Sequence, residues 1–437
     1  MAGTASTAPT PSPTTSPPRS DDSDGGNSPA ALGTTPSAAP AIDRANAFKP
    51  VVVGTGYVDA NTRQVVRTTS GIVYVFAADD TAQRTASGPG VARAWKGNVA
   101  GIPTAFAEVD GANRPTAGTA ENVIVDVDAR LDRSGIVQLV YVDETDATLY
   151  YRTFSTITDT WGPATALATG VNVPDGFFKR LKRSAGAVSI ALDAKDVPHV
   201  VYCSGATLFY TDRSSGTWSA PQVVSESRWP THPQLAFGRD GTLHLSWLEN
   251  DANEPRVLYS RLAPRGEWQP PEVVDAIDVQ DNATGDQGPS IAVTSSGVPY
   301  ILWISPRGTS GVRIKHRDRA TNQWVGDPLP TNLYTHAPQI YTQDNNIYAF
   351  LGHDSLIRFG YEYQLRGQGW APYVPLTTEA DGTLDGAASV RWDPLHENNR
   401  KVIDATFFDE DIANDGSFLP RLYYMAILPS RTADTTR

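Results

Sequence analysis

Sulfur is nearly absent from this chain: one cysteine, Cys203, and two methionines serve 437 residues. A lone thiol excludes an intrachain disulfide framework and a cysteine-based zinc site. Cys203 ends an apolar strand, so it reads as a buried, inert residue rather than a nucleophile. Basic charge is short as well, with 36 Lys and Arg against 48 Asp and Glu and a net charge of -12. That balance argues against nucleic acid as the main partner, because phosphate binding needs a basic face. It argues equally against adsorption to an anionic membrane, and no apolar run has the length needed to insert across a bilayer. The first residues, MAGTASTAPTPSPTTSPP, carry neither a charged n-region nor an apolar h-region and do not read as a secretory signal. Export by another route, a signal missing from this chain and an intracellular location all stay open.

What is plentiful is turn-forming and aromatic: 36 Gly, 33 Pro and 10 Trp, with 40% hydrophobic and 19% charged residues. The mixture suits a turn-rich all-β protein. Residues 1–45 are Ala, Ser, Thr, Pro, Gly and Asp with few large apolar side chains. Burial there cannot offset the entropy of ordering, so the sequence predicts a disordered tail. Its plain reading is a spacer; the sharper one is a stalk, or an attachment segment for an assembly partner.

From residue 46 to 437 the chain repeats. Gly186 to Val224 shows the unit, four short strands over Val188–Leu192, Val197–Tyr202, Thr207–Thr211 and Thr217–Val224. Val197, His199 and Val201 alternate with Pro198, Val200 and Tyr202, the period of a strand. Second strands follow Gly, Asp or Asn: Gly135-IVQLVYV, Asp196-VPHVVY, Gly241-TLHLSW, Gly297-VPYILW, Asn345-NIYAFL. Third strands are aromatic, as in TLYYRTF, TLFYTD and VLYSRL. Fourth strands are expected to start at Trp161, Trp218, Trp268, Trp324 and Trp370, each followed by Pro within four residues. The repeat of about 45 to 65 residues lies at or just above propeller blade periods. At one repeat position, these tryptophans read as packing between blades.

The last unit, Ser389–Trp392, Lys401–Phe408 and Arg421–Leu428, has three strands, and an orphan strand stands at Pro50–Val53. The expected fold is therefore all-β: a single propeller of seven blades, closed by pairing the N-terminal strand with the C-terminal blade.

The G-x-(P)-H/Y-hydrophobic strands, L-Y strands and G-x-W-x-x-P turns resemble the BNR-type, sialidase-superfamily propellers from about residue 48 onward. The nearest match to that family's Asp box, Thr211–Trp218, is one residue too long and has Ser where Asp should precede Gly. The resemblance implies a propeller, and a choice among sialidases, polysaccharide lyases and sugar-binding lectins.

Ligands of propellers gather where the segments leading into the innermost strands converge. Two such segments carry histidine: Trp229-Pro-Thr-His232-Pro-Gln and Tyr334-Thr-His336-Ala-Pro-Gln. Others hold Gln287 and the basic cluster containing Arg180 and Arg183. Imidazole, phenol and guanidinium suit β-elimination on uronic-acid glycans: Arg neutralises the carboxylate, and His or Tyr takes the acidified proton. On that reading His232, His336, Tyr334 and Arg358 are catalytic, while Arg180, Arg183, Gln287, Trp229 and Arg391 bind ligand. A sialidase would need three convergent Arg and a Tyr–Glu pair; no Glu is placed for that. A His-Pro beside a strand also serves simply to hold a loop carbonyl. Asp409, Asp411, Asn414 and Asp415 crowd oxygen ligands into one turn, a composition that suits calcium and equally a solvated acidic hairpin.

Three functions fit. The favoured one is a non-catalytic propeller that binds a glycan or cell-surface polysaccharide, displayed outside the cell on a flexible tail. The alternatives are a polysaccharide lyase or glycoside hydrolase, and a structural or delivered component of a larger extracellular assembly.

Overall fold

The computed structural model describes residues 47–55, 63–79, 81–84, 87–109, 113–119, 122–173, 186–226, 229–249, 255–276, 288–304, 311–330, 338–353, 358–377, 389–390, 402–409 and 421–428. Its strands form seven antiparallel sheets. Blade 1 comprises Arg63–Arg67, Val73–Asp79, Val91–Gly97 and Phe106–Glu108; blade 2 comprises Ile124–Leu131, Ile136–Asp143, Thr148–Ser155 and Thr165–Ala168. Blade 3 is Val188–Leu192, Pro198–Ser204, Thr207–Asp212 and Gln222–Glu226. Blade 4 is Pro230–Phe237, Leu243–Glu249, Arg256–Leu262 and Glu272–Ala276. Blade 5 is Ser290–Val293, Pro299–Ile304, Val312–Arg317 and Trp324–Asp327. Blade 6 is Gln339–Gln343, Asn346–His353, Arg358–Gln364 and Val374–Pro375. In blade 7, Ser389–Val390, Ile403–Asp409 and Arg421–Ile427 are completed by Val51–Thr55 from the other end of the chain. Among the described residues the one helix is the four-residue turn Thr81–Arg84.

Each first strand touches that of the next blade, and the first strand of blade 7 touches those of blades 6 and 1, so the ring is closed. These inner strands are buried, and the N–H groups on their outer edge need acceptors. One recurring position supplies them. Asp128 Oδ2 accepts from Ile190 N at 3.0 Å, Ser189 Oγ from Leu235 N at 3.3 Å, and Ser290 Oγ from Ile340 N at 3.1 Å. A short polar side chain at one position of the inner strand thus stitches each of these blades to its successor.

Farther out, tryptophans do the joining. Trp218 of blade 3 packs edge-on to Tyr151 of blade 2, with ring centroids 5.0 Å apart. Trp268 stands 5.4 Å from Tyr210, and Trp324 5.0 Å from Tyr259, repeating the contact one blade further on each time. The expected inter-blade packing is what these rings do. In blade 5 the fourth ladder starts at Trp324, as expected, but in blades 4 and 6 it starts later: Trp268 and Trp370 make isolated bridges, and continuous pairing begins at Glu272 and Val374. Proline explains the gap, since Pro270, Pro271 and Pro372 have no N–H to donate to a ladder.

Candidate functional site

The two ends of the ring differ. At one end, first and second strands are joined by tight turns whose leading side chain caps the backbone. Asp193 Oδ1, for example, accepts from Lys195 N at 2.7 Å and from Val197 N at 2.9 Å. At the other end the chain enters the first strands, through Gly186-Ala187 into blade 3, Trp229 into blade 4 and Gly288-Pro289 into blade 5. Trp229 and His232 of the sequence-predicted site lie at this second end.

Blade 4 presents the described part of it. Trp229 stands immediately before the inner strand, with φ of +54° and 62% of its surface exposed. Among the described tryptophans it alone is exposed. A bulky residue ahead of proline disfavours that backbone conformation, at a cost of about 1 kcal/mol or more. Nothing apolar is gained in return, because the indole faces water. The backbone conformation is thus kept although the ring itself is not buried.

Three residues on, His232 also has positive φ, +52°, and causes a bulge: pairing with the second strand slips between Thr231 and Gln234. It is only 7% exposed. Its N–H donates to Gly186 O at 2.5 Å, and a Cβ at either Gly186 or Gly288 would collide with its side chain. The imidazole is therefore seated between the backbones of blades 3 and 5, where only glycines leave room. Asp126 makes the corresponding bulge in blade 2, with φ of +55°. Its Oδ1 accepts from Gly186 N at 3.0 Å and its Oδ2 from Ala187 N at 2.9 Å. Burial drives its pKa up to about 7 although both backbone bonds oppose the shift. The start of blade 3 is thus gripped from both sides.

Outward from Trp229 along the same blade, Pro230 lies opposite Glu249, and Glu249 opposite Arg256. Arg256 Nε is 3.2 Å from Glu249 Oε2. Sequence reasoning passed over this pair because the two residues meet only through a hairpin whose register the alternation does not specify.

Arg180, Arg183, Gln287, Tyr334, His336, Arg391, Asp411, Asn414 and Asp415 are outside the described residues, as are the side chains of Arg358 and Asp409. Of the suggested catalytic and binding groups, His232 and Trp229 are the two whose side chains are placed. Among the described residues, no group of three or more His, Cys, Asp or Glu could hold a metal ion.

His199, His244 and His316 are engaged within the blades. His199 Nδ1 is hydrogen-bonded to Tyr210 Oη at 2.6 Å, and His244 Nδ1 to Tyr259 Oη at 2.8 Å. Burial lowers the pKa of both, that of His244 to about 4. His316 Nδ1 pairs with Asp327 Oδ2 at 2.6 Å, which raises its pKa. Cys203 is fully buried, and burial pushes its thiol well above the usual range.

No family model matches the chain, and no curated protein matches it in sequence. Several solved structures show a distant likeness to it. An α-L-arabinanase of Penicillium chrysogenum, complexed with arabinobiose, is 9% identical with a TM-score of 0.40, over 69% of this chain and 93% of that one. An ulvan lyase bound to GlcA(1-4)Rha3S is 9% identical with a TM-score of 0.46, over 74% and 81%. The six-bladed, fucose-recognising lectin of Aleuria aurantia is 13% identical with a TM-score of 0.41, over 74% and 98%. Likeness at this level concerns the fold alone. This chain differs from the lectin in having seven blades.

Proposed function

We propose that the protein is a non-catalytic glycan-binding propeller, degenerate in its BNR-type repeats, that uses the loop-bearing end of its ring to engage a polysaccharide outside the cell. The observation that carries the reading is Trp229: an indole 62% exposed on a strained backbone, one residue from the innermost strand. An exposed aromatic face offers a platform for the apolar C–H face of a pyranose. His232 supports the same reading from the other side. A catalytic base must reach the substrate proton, and this imidazole is packed against two glycine backbones instead.

The test is glycan binding by the full chain and by Trp229→Ala. Binding by the parent and a loss of about tenfold or more in the variant is expected, since an aromatic contact at a hot spot is typically worth this much. A glycan array that stays blank would overturn the reading. So would formation of unsaturated uronate product, followed by its ultraviolet absorbance, which would place the protein among the lyases.

A further inference from the structure

We infer that the Trp229 site extends onto the Glu249–Arg256 ion pair and selects an uncharged sugar through two neighbouring hydroxyls. This rests on the reading of Trp229 as a saccharide platform and narrows its ligand to a chemical class. The register of blade 4 brings the parts together. Trp229 is bonded to Pro230; Pro230 pairs with Glu249, and Glu249 with Arg256. Aromatic, carboxylate and guanidinium therefore occupy three successive strand ends of a single blade, running outward from the ring.

The two charged side chains are not equally available. Glu249 is 9% exposed and Arg256 34% exposed, with Nε and Oε2 3.2 Å apart. The carboxylate is thus fixed in the sheet, and the guanidinium, held by it, keeps part of its fork open to solvent. A carboxylate offers only acceptors and a guanidinium only donors. A vicinal diol offers both in each hydroxyl, so one hydroxyl can donate to the Glu249 carboxylate while its neighbour accepts from Arg256. The planar fork of arginine adds orientation that a lysine would not supply.

Charge points to the same ligand class. Glu249 already offsets Arg256, so a uronate or sulfate arriving here gains no uncompensated cation and meets a nearby carboxylate. An uncharged sugar leaves the ion pair intact, which avoids the penalty of stranding a half-buried charge.

The experiment is calorimetric titration of the full chain with methyl glycosides of neutral hexoses and with methyl glucuronide, alongside the glycan array. Arg256→Lys keeps the charge pair and removes the fork; Glu249→Gln keeps the shape and removes the charge. Each is expected to weaken binding of a neutral glycoside about tenfold or more, the typical worth of a hydrogen bond to a charged group. Thermal melting of Arg256→Lys near that of the parent shows that the loss is not unfolding. Binding confined to the glucuronide or to sulfated glycans overturns the inference, as does a neutral-sugar affinity that both substitutions leave within about twofold. If Trp229→Ala abolishes binding while the two polar variants keep it, the saccharide platform stands and this extension falls. If nothing binds at all, both fall together.

Discussion

Asp126 and His244 are buried titratable groups that pull stability in opposite directions with pH. The carboxyl of Asp126 is raised from 3.8 to about 7 by burial. Folding therefore favours its protonated form: the contribution is full below about pH 4 and is lost as pH rises through 7. At about 1.4 kcal/mol per unit, the swing is on the order of 4 kcal/mol. Asp126→Asn, which cannot ionise but whose amide nitrogen cannot accept from the second backbone N–H, should melt below the parent at pH 5 and by a smaller margin at pH 8. A margin of the same size at both pH values would sink that account. For His244 the ring is lowered from 6.5 to about 4 by burial. Its contribution is present above about pH 6.5 and lost as pH falls through 4. Blade 2 shows how to remove it safely: Gln138 there receives a hydrogen bond from Tyr151 Oη, as His244 meets Tyr259. His244→Gln should keep that contact and flatten the acid limb of a stability–pH curve measured by urea unfolding, leaving the neutral end within about 1 kcal/mol. A variant whose acid limb is unchanged would rule out this histidine as its source.

At the scale of the element, the repeated tryptophan is the joint between blades, and its chemistry says which substitution matters. Trp324 packs on Tyr259 of the preceding blade, but its Nε1 has no hydrogen-bond partner among the described residues. The ring's area carries the contact, not its polar tip. Trp324→Phe should therefore cost about 1 kcal/mol, and Trp324→Ala about 3 kcal/mol, in chemical denaturation. A phenylalanine variant as damaged as the alanine one would show that the indole nitrogen counts after all. These joints were legible in the sequence because they recur: five Trp-to-Pro turns share one position. The strands were legible from alternation for the same reason. The stitches of the inner ring were less so. Asp128, Ser189 and Ser290 look like solvent-facing members of an alternating strand, and only the neighbouring blade shows what they hold. Trp229 could be singled out because it breaks the repeat, preceding a proline at the start of a first strand. Glu249 and Arg256 could not, since each reads alone as an ordinary charge flanking a connection.

The whole molecule depends on the joint between the two ends of its chain. Val51–Thr55 pairs with Arg421–Ile427, so residues more than 360 positions apart complete one sheet. Around this seam the packing is close: a Cβ on Gly54 would lie 3.0 Å from the Trp95 ring of blade 1. Just inside it, Arg67 of blade 1 donates from Nε to Asp404 Oδ2 at 2.8 Å and from Nη2 to Tyr424 Oη at 3.0 Å, both in blade 7. The arginine is almost fully buried, so removing its partner would strand a charge. The orphan apolar strand near residue 51 was the sequence signal for closure; the ion pair behind it left none. Two truncations separate the tail from the latch. A chain lacking residues 1–45 retains every strand of the seam and should melt within about 2 °C of the parent. A chain lacking residues 1–55 loses the fourth strand of blade 7 and with it the buried Val53, leaves the Arg421–Ile427 edge unpaired, and uncovers part of the core beneath Trp95. It should lose several kcal/mol and self-associate through the open edge, seen as earlier melting and a rise in mass by light scattering. A monomeric, equally stable product of the longer truncation would mean that closure rests on the inner ring alone, with the N-terminal strand a cover rather than a latch.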